Sequence, residues 1–334
     1  MNCFMTRPYL RQAVLAGLMT WLWLIGACGQ VGVPTSGGES ALTPAVQLAS
    51  PSPRALAIAS LPPTVAPWPT PPAAQASTLR ASPSPPPSPS PPSPPLPTTC
   101  SAKSGRIELD RLDSTVLGSS LEYRIYLPPC YDTLAYKSYP VLYLLHGQGF
   151  SDDQWERLGA GKVADALITS GETAPFLIVM PRDRIWLEPA SDPFGEALVG
   201  ELIPLVDSHY RTRAERRYRA VGGLSRGGAW AVHLGLQNWP LFTSIGVHSG
   251  FVFHSDVPHV KTWLAAIPAE QMPRIYLDLG NSDEREIAQS AAWFEQLLTQ
   301  NAVPHEWHLF VGFHDETYWQ GHVEDYLRWY AQDW

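Results

Sequence analysis

The sequence has 334 residues, but its 34 prolines and its charges are unevenly spread. Setting aside Arg7, Arg11, Arg54, Arg80 and Glu39, the stretch after position 99 holds 19 basic and 30 acidic residues, a net charge of −11 with histidine neutral. That acidity argues against nucleic acid and anionic surfaces as partners, and the stretch is long enough for one sizeable domain.

At the N-terminus, Arg7 and Arg11 precede an uncharged apolar run from Ala13 to Ile25. The run has the length of a signal-peptide core and is short for a spanning helix. It ends in Ile25-Gly26-Ala27-Cys28, which resembles the lipobox of bacterial lipoproteins: an aliphatic residue, two small ones, then cysteine. The resemblance implies that residues 1–27 are a lipoprotein signal peptide, with a lipid on the Cys28 sulfur as the membrane anchor. The other reading is an ordinary secretory signal with Cys28 incidental. Either one places the rest of the chain outside the cytoplasm.

Residues 28–99 contain "SPSPPPSPSPPSPPLPTT" and too little apolar surface to fold. They read as a disordered stalk, extended by proline at ~3.1 Å per residue. The domain is then 100–334. Cys3 falls in the signal and Cys28 at the anchor, leaving Cys100 and Cys130 in an oxidising compartment. A disulfide between them is one expectation and two free thiols the other.

Within the domain, "SLEYRIYLPP" alternates like a half-buried strand from about 119. "YPVLYLLHG" (139–147) is almost wholly apolar, as buried parallel strands are. Further strands are predicted at 175–181, 219–224, 243–249, 274–280 and 306–312. Helical patterns fill 161–170, 196–209, 226–237, 258–266, 284–301 and 318–331. Alternating strands and helices predict an α/β domain with a mostly parallel sheet, whose active groups gather at the carboxyl ends of the strands.

Between the strand at 219–224 and the helix at 226–237 stands Gly223-Leu224-Ser225-Arg226-Gly227. The pattern G-x-S-x-G in that setting is a nucleophile elbow. Its sharp turn lifts the serine above the sheet, and side chains two residues to either side would collide, hence the glycines. Ser225 is the candidate nucleophile and needs a base. In this architecture acid and histidine follow the serine in that order. Of the eight histidines after Ser225, His314 is the candidate base: it lies in the loop "GFHDETYW" after the last strand. His305 and His308, three apart on a strand, face opposite ways and suit no shared metal. The acid comes from "RIYLDLGNSDE", where Asp283 follows a glycine-containing turn while Asp278 is inside the strand and Glu284 starts a helix. Backbone N–H groups of Arg226 and of Gln148 in "HGQG" are the candidate oxyanion donors. His146 in the same motif is suited to shaping that loop.

"YPVLYLLHGQGFSDDQW", "ELIPLVDSHYRT", "AVGGLSRGGAWAVHLGL", "YLDLGNSDE" and "GFHDETYWQGHVEDYL" together resemble the Putative esterase family. This is the α/β-hydrolase branch that includes S-formylglutathione hydrolases, feruloyl and acetyl-xylan esterases and mycolyltransferases. The resemblance covers most of 105–333. It implies an α/β-hydrolase fold, Ser225, Asp283 and His314 as a triad, and neither metal nor cofactor. The leading reading is a serine carboxylesterase, anchored outside the cytoplasm, acting on a small-molecule or carbohydrate ester. An acyltransferase would replace water by a hydroxyl acceptor, and a non-catalytic lipoprotein would use the cleft to bind glycans. Phe150, Trp155, Trp186, Phe194, Phe251, Phe253, Tyr318 and Trp319 are placed to stack on sugar or feruloyl rings. Packing is the simpler reading of each one.

Overall fold

The computed structural model describes residues 99–334. The expected signal peptide, the lipidation site Cys28 and the stalk up to residue 98 lie outside the described residues.

The chain enters the sheet through an antiparallel hairpin of β1 (Arg106–Ser114) and β2 (Ser119–Leu127). β1 was not legible in the sequence. It is an edge strand, mostly exposed and charged on both faces; the alternation of Arg106–Asp110 breaks at Arg111, which leaves Leu112 on the opposite face from Ile107 and Leu109. β2 pairs antiparallel with β4 (Leu177–Pro181). From there the pairing is parallel through β3 (Val141–Leu145), β5 (Arg219–Leu224), β6 (Ser244–His248), β7 (Arg274–Gly280) and β8 (Glu306–Phe310). The order is β1-β2-β4-β3-β5-β6-β7-β8. This is the α/β-hydrolase fold that the sequence led us to expect.

The central strands are buried on both faces, which is why they are apolar throughout. On β3, Val141, Tyr143 and Leu145 turn to one core, and Leu142 and Leu144 to the other. The first core is covered by α5 (Arg226–Gln237), α6 (Val260–Ala266) and α7 (Arg285–Gln300). The second lies beneath α2 (Ala160–Ser170) and α8 (Glu316–Ala331). A four-residue helix, α1 (Gln154–Arg157), interrupts the loop after β3. The helix expected over 196–209 is broken into α3 (Phe194–Ala197), a π turn (Leu198–Leu202) and α4 (Ile203–His209). Pro204, in the first turn of α4, has no N–H to bond the carbonyl four residues back, so regular α-helix cannot run through it.

Cys100 and Cys130 form a disulfide, with Cα atoms 5.9 Å apart. It ties the chain ahead of β1 to the turn after β2.

Candidate active site

Ser225 sits alone between β5 and α5 with φ 54° and ψ −120°, a backbone conformation that costs about 1–3 kcal/mol in a non-glycine residue. The flanking glycines make the turn possible. A Cβ on Gly223 would lie 2.3 Å from the carbonyl carbon of Gly227, and one on Gly227 would lie 2.1 Å from the Leu145 oxygen. The Ser225 N–H donates to the His248 carbonyl at 3.0 Å, fixing the elbow to the end of β6.

Two more loops bring side chains to this corner. The loops after β7 and β8 are bonded to each other: Asn281 N–H donates to Phe310 O at 2.7 Å and Ser282 N–H to Gly312 O at 2.9 Å. Their close approach aims Asp283 and His314 at one another. His314 Nδ1 lies 2.8 Å from Asp283 Oδ1, and its Nε2 lies 2.9 Å from Ser225 Oγ. A carboxylate only accepts, so Nδ1 carries the proton and Nε2 is free to accept from the serine hydroxyl. The Asp283 carboxylate is wholly buried and also accepts the Glu284 N–H at 2.7 Å. The Trp319 ring packs edge-on against His314 at 5.0 Å.

Asp278 is elsewhere. It is buried under α8, accepting from His248 Nδ1 at 2.7 Å, Tyr318 OH at 2.6 Å and Tyr326 OH at 2.8 Å. His248 Nε2 faces the Tyr330 hydroxyl at 2.9 Å. Burial, and then the Asp278 charge, hold all three phenols well above their ordinary pKa, so they remain donors. Tyr330 reaches this network only because residues 222 and 246 are glycines: a Cβ there would fall 1.6 and 1.8 Å from its hydroxyl.

Gln148 and Arg226 line the same cleft as Ser225 and His314, a space of about 780 Å³. Among the described residues neither backbone N–H donates to another protein group. The loop after β3 is held by His146. Its Nε2 accepts the Asp183 N–H at 2.9 Å, so Nδ1 carries the proton and donates to Gly147 O at 2.8 Å. Burial pushes the pKa of this ring down and keeps it neutral. Gly147 C=O and Gln148 N–H belong to one planar peptide, so the ring also sets the direction of the N–H.

Sequence reasoning gave Arg226 a role only for its backbone, but its buried guanidinium is a tether. Nε bonds Asp183 Oδ2 at 2.7 Å, and Nη2 bonds Leu187 O at 2.6 Å and Asp192 Oδ2 at 2.9 Å. The loop after β4 is thereby fastened beside the elbow. Nothing in the sequence marks Asp183 or Asp192 as partners. Of the aromatic residues considered for the rim, Phe150, Phe251 and Trp319 line the cleft. Trp155, Phe194, Phe253 and Tyr318 are buried, and Trp186 is exposed on the loop after β4. Gly147, Ile287, Glu284, Asp315 and Glu316 complete the lining.

The family described as Putative esterase matches residues 114–330. An endo-1,4-beta-xylanase/feruloyl esterase of Xylanibacter ruminicola is 32% identical over 157 residues, 44% of this chain and 22% of that protein. An esterase of Mycobacterium tuberculosis is 32% identical over 150 residues, 42% of this chain and 31% of that protein. The matched segment thus spans less than a third of the length of these relatives. A solved ferulic acid esterase superposes with a TM-score of 0.61 at 24% identity, covering 69% of this chain and all of the other. That likeness is one of fold.

Proposed function

This chain belongs to the Putative esterase family, and on that premise we propose that it is a serine carboxylesterase working through Ser225, His314 and Asp283. The observation that carries the reading is the unbroken line from the Ser225 hydroxyl through both nitrogens of His314 to Asp283, at 2.9 and 2.8 Å. Ser225 Oγ attacks the ester carbonyl as His314 Nε2 takes its proton. Asp283 keeps the ring in the required tautomer and offsets the charge it gains. The carbonyl oxygen becomes an oxyanion, which the Gln148 and Arg226 N–H groups receive at the amino end of α5, where the helix dipole also favours negative charge. His314 returns the proton to the departing alcohol. Water, activated by the same ring, then cleaves the acyl-enzyme to release the acid.

The substrate we propose is an aromatic or short acyl ester on a carbohydrate. The names of relatives such as the xylanase/feruloyl esterase support this, as do Phe150, Phe251, Ile287 and Trp319 around the nucleophile. The same reading takes Cys28 as the lipidated N-terminus of a mature protein held outside the cytoplasm, with residues 28–99 as its stalk. Mass spectrometry of the mature N-terminus tests that part.

The enzymatic reading is tested with p-nitrophenyl acetate, feruloyl esters and acetylated xylan. The parent is expected to turn over at least one of them and Ser225→Ala none. A fluorophosphonate is expected to label Ser225 alone. Turnover that survives in Ser225→Ala, or labelling at another serine, would overturn it.

A further inference from the structure

We propose that Gln154 is a positioning residue that couples the oxyanion loop to the segment carrying His314; the proposal rests on the esterase reading above. Gln154 opens α1 and is 0% exposed. Its Oε1 accepts the Gly147 N–H at 2.9 Å, and its Nε2 donates to Glu316 Oε1 at 3.2 Å. The orientation of the amide is fixed by its partners, because Gly147 offers only a donor there and Glu316 only acceptors. Glu316 is the first residue of α8, two residues after His314. Arg157, at the other end of α1, grips both oxygens of Glu316 at 2.8 and 2.9 Å.

The consequence is geometric. Gly147 is held through both of its peptides: the one before it by Gln154, the one after it by His146. The second peptide carries the Gln148 N–H, an oxyanion donor of the mechanism proposed above. Gln154 bonds both this loop and the helix that His314 leads into, across a sequence distance of 162 residues. An oxyanion donor and a general base must be placed together, since misplacement of about 1 Å costs on the order of 100-fold in rate. The Trp155 indole, donating to Leu145 O at 3.0 Å, ties α1 to the end of β3 at the residue next to Gln154.

The test exchanges the acid and the amide across one hydrogen bond in the full chain. Gln154→Glu keeps an acceptor for Gly147 but sets a carboxylate against Glu316. We expect kcat/KM for p-nitrophenyl acetate to fall about 10- to 100-fold, chiefly in kcat. The affinity for a trifluoromethyl ketone, which forms an oxyanion on Ser225, falls by the same factor, while inhibition by the product acid does not move. The double variant Gln154→Glu/Glu316→Gln restores the bond with its ends reversed and recovers to within about 3-fold of the parent; such non-additivity is the mark of a direct pair. Glu316→Ala, at the partly exposed far end of the bond, reports the coupling without disturbing the core and loses about 3- to 10-fold. The proposal is overturned if Glu316→Ala leaves kcat/KM and ketone affinity unchanged, or if the double variant is no better than Gln154→Glu. Turnover retained in Ser225→Ala would instead remove the esterase reading itself.

Discussion

Two aspartates in this protein each hold a histidine, and replacing them one at a time separates architecture from chemistry. In Asp278→Asn, one oxygen must serve where two accepted from His248, Tyr318 and Tyr326. If the new NH2 faces the tyrosines, two buried hydroxyls kept protonated by their surroundings lose their acceptor. If it faces His248, the ring must move its proton to Nε2, where it displaces the hydroxyl proton of Tyr330. In both arrangements at least one buried O–H is left unpaired, and the remaining bonds lose the help of a charge. An unmade buried bond costs about 1–3 kcal/mol, and each of two further bonds falling from charge-assisted to neutral strength costs about 1, so we expect a loss of roughly 3–5 kcal/mol. For a domain of this size that lowers the melting temperature by roughly 6–20 °C. Turnover per fluorophosphonate-titrated serine should stay within about 10-fold of the parent, because Asp278 does not touch His314. Asp283→Asn should instead cut turnover on the order of 10⁴-fold, as the analogous change does in serine proteases. The assay is a denaturant or thermal melt of each variant beside its active-site-normalised rate. If Asp278→Asn melts like the parent yet loses turnover as severely as Asp283→Asn, the assignment of the acid is wrong.

Gly227→Ala would drive a methyl group to 2.1 Å from the Leu145 carbonyl, a contact that no rotamer relieves; the elbow must shift, and turnover should fall about 100-fold or more, read by burst titration. Replacing Cys100 and Cys130 by serine opens a loop spanning 30 residues and should cost ~3–4 kcal/mol on the chain-entropy scale, read as a lower urea midpoint; an unchanged midpoint counts against it. The lowered pKa of buried His146 means that the unfolded chain binds its proton first. Its contribution to stability is therefore complete above pH ~6.5 and is lost as the pH falls below that value. The slope of stability against pH between about 6.5 and 5 should be shallower in His146→Gln, and an unaltered slope would show that the ring is not held neutral.

The local parts of this molecule were written locally. An apolar run bounded by turn residues became a strand wherever it was buried on both faces, and G-x-S-x-G between a strand and a helix became the turn that raises Ser225. The contrast between Asp278 and Asp283 was legible too. A strand residue points into a layer, whereas a residue past Gly280 stands above the sheet edge, and the structure puts Asp278 under α8 and Asp283 against His314. β1 escaped because an exposed edge strand has no need of an apolar face. What tertiary structure alone decided is which distant polar groups meet. The guanidinium of Arg226 finds Asp183 and Asp192, and Gln154 finds both Gly147 and Glu316. His248 and Asp278 meet three tyrosines of α8. Backbone preference reaches only a few residues along a chain, so it can set a turn or a period. These pairings depend on β3 lying between β4 and β5, and on α8 returning across β5, β6 and β7. Only once the sheet had buried those groups away from water did each of them require a partner.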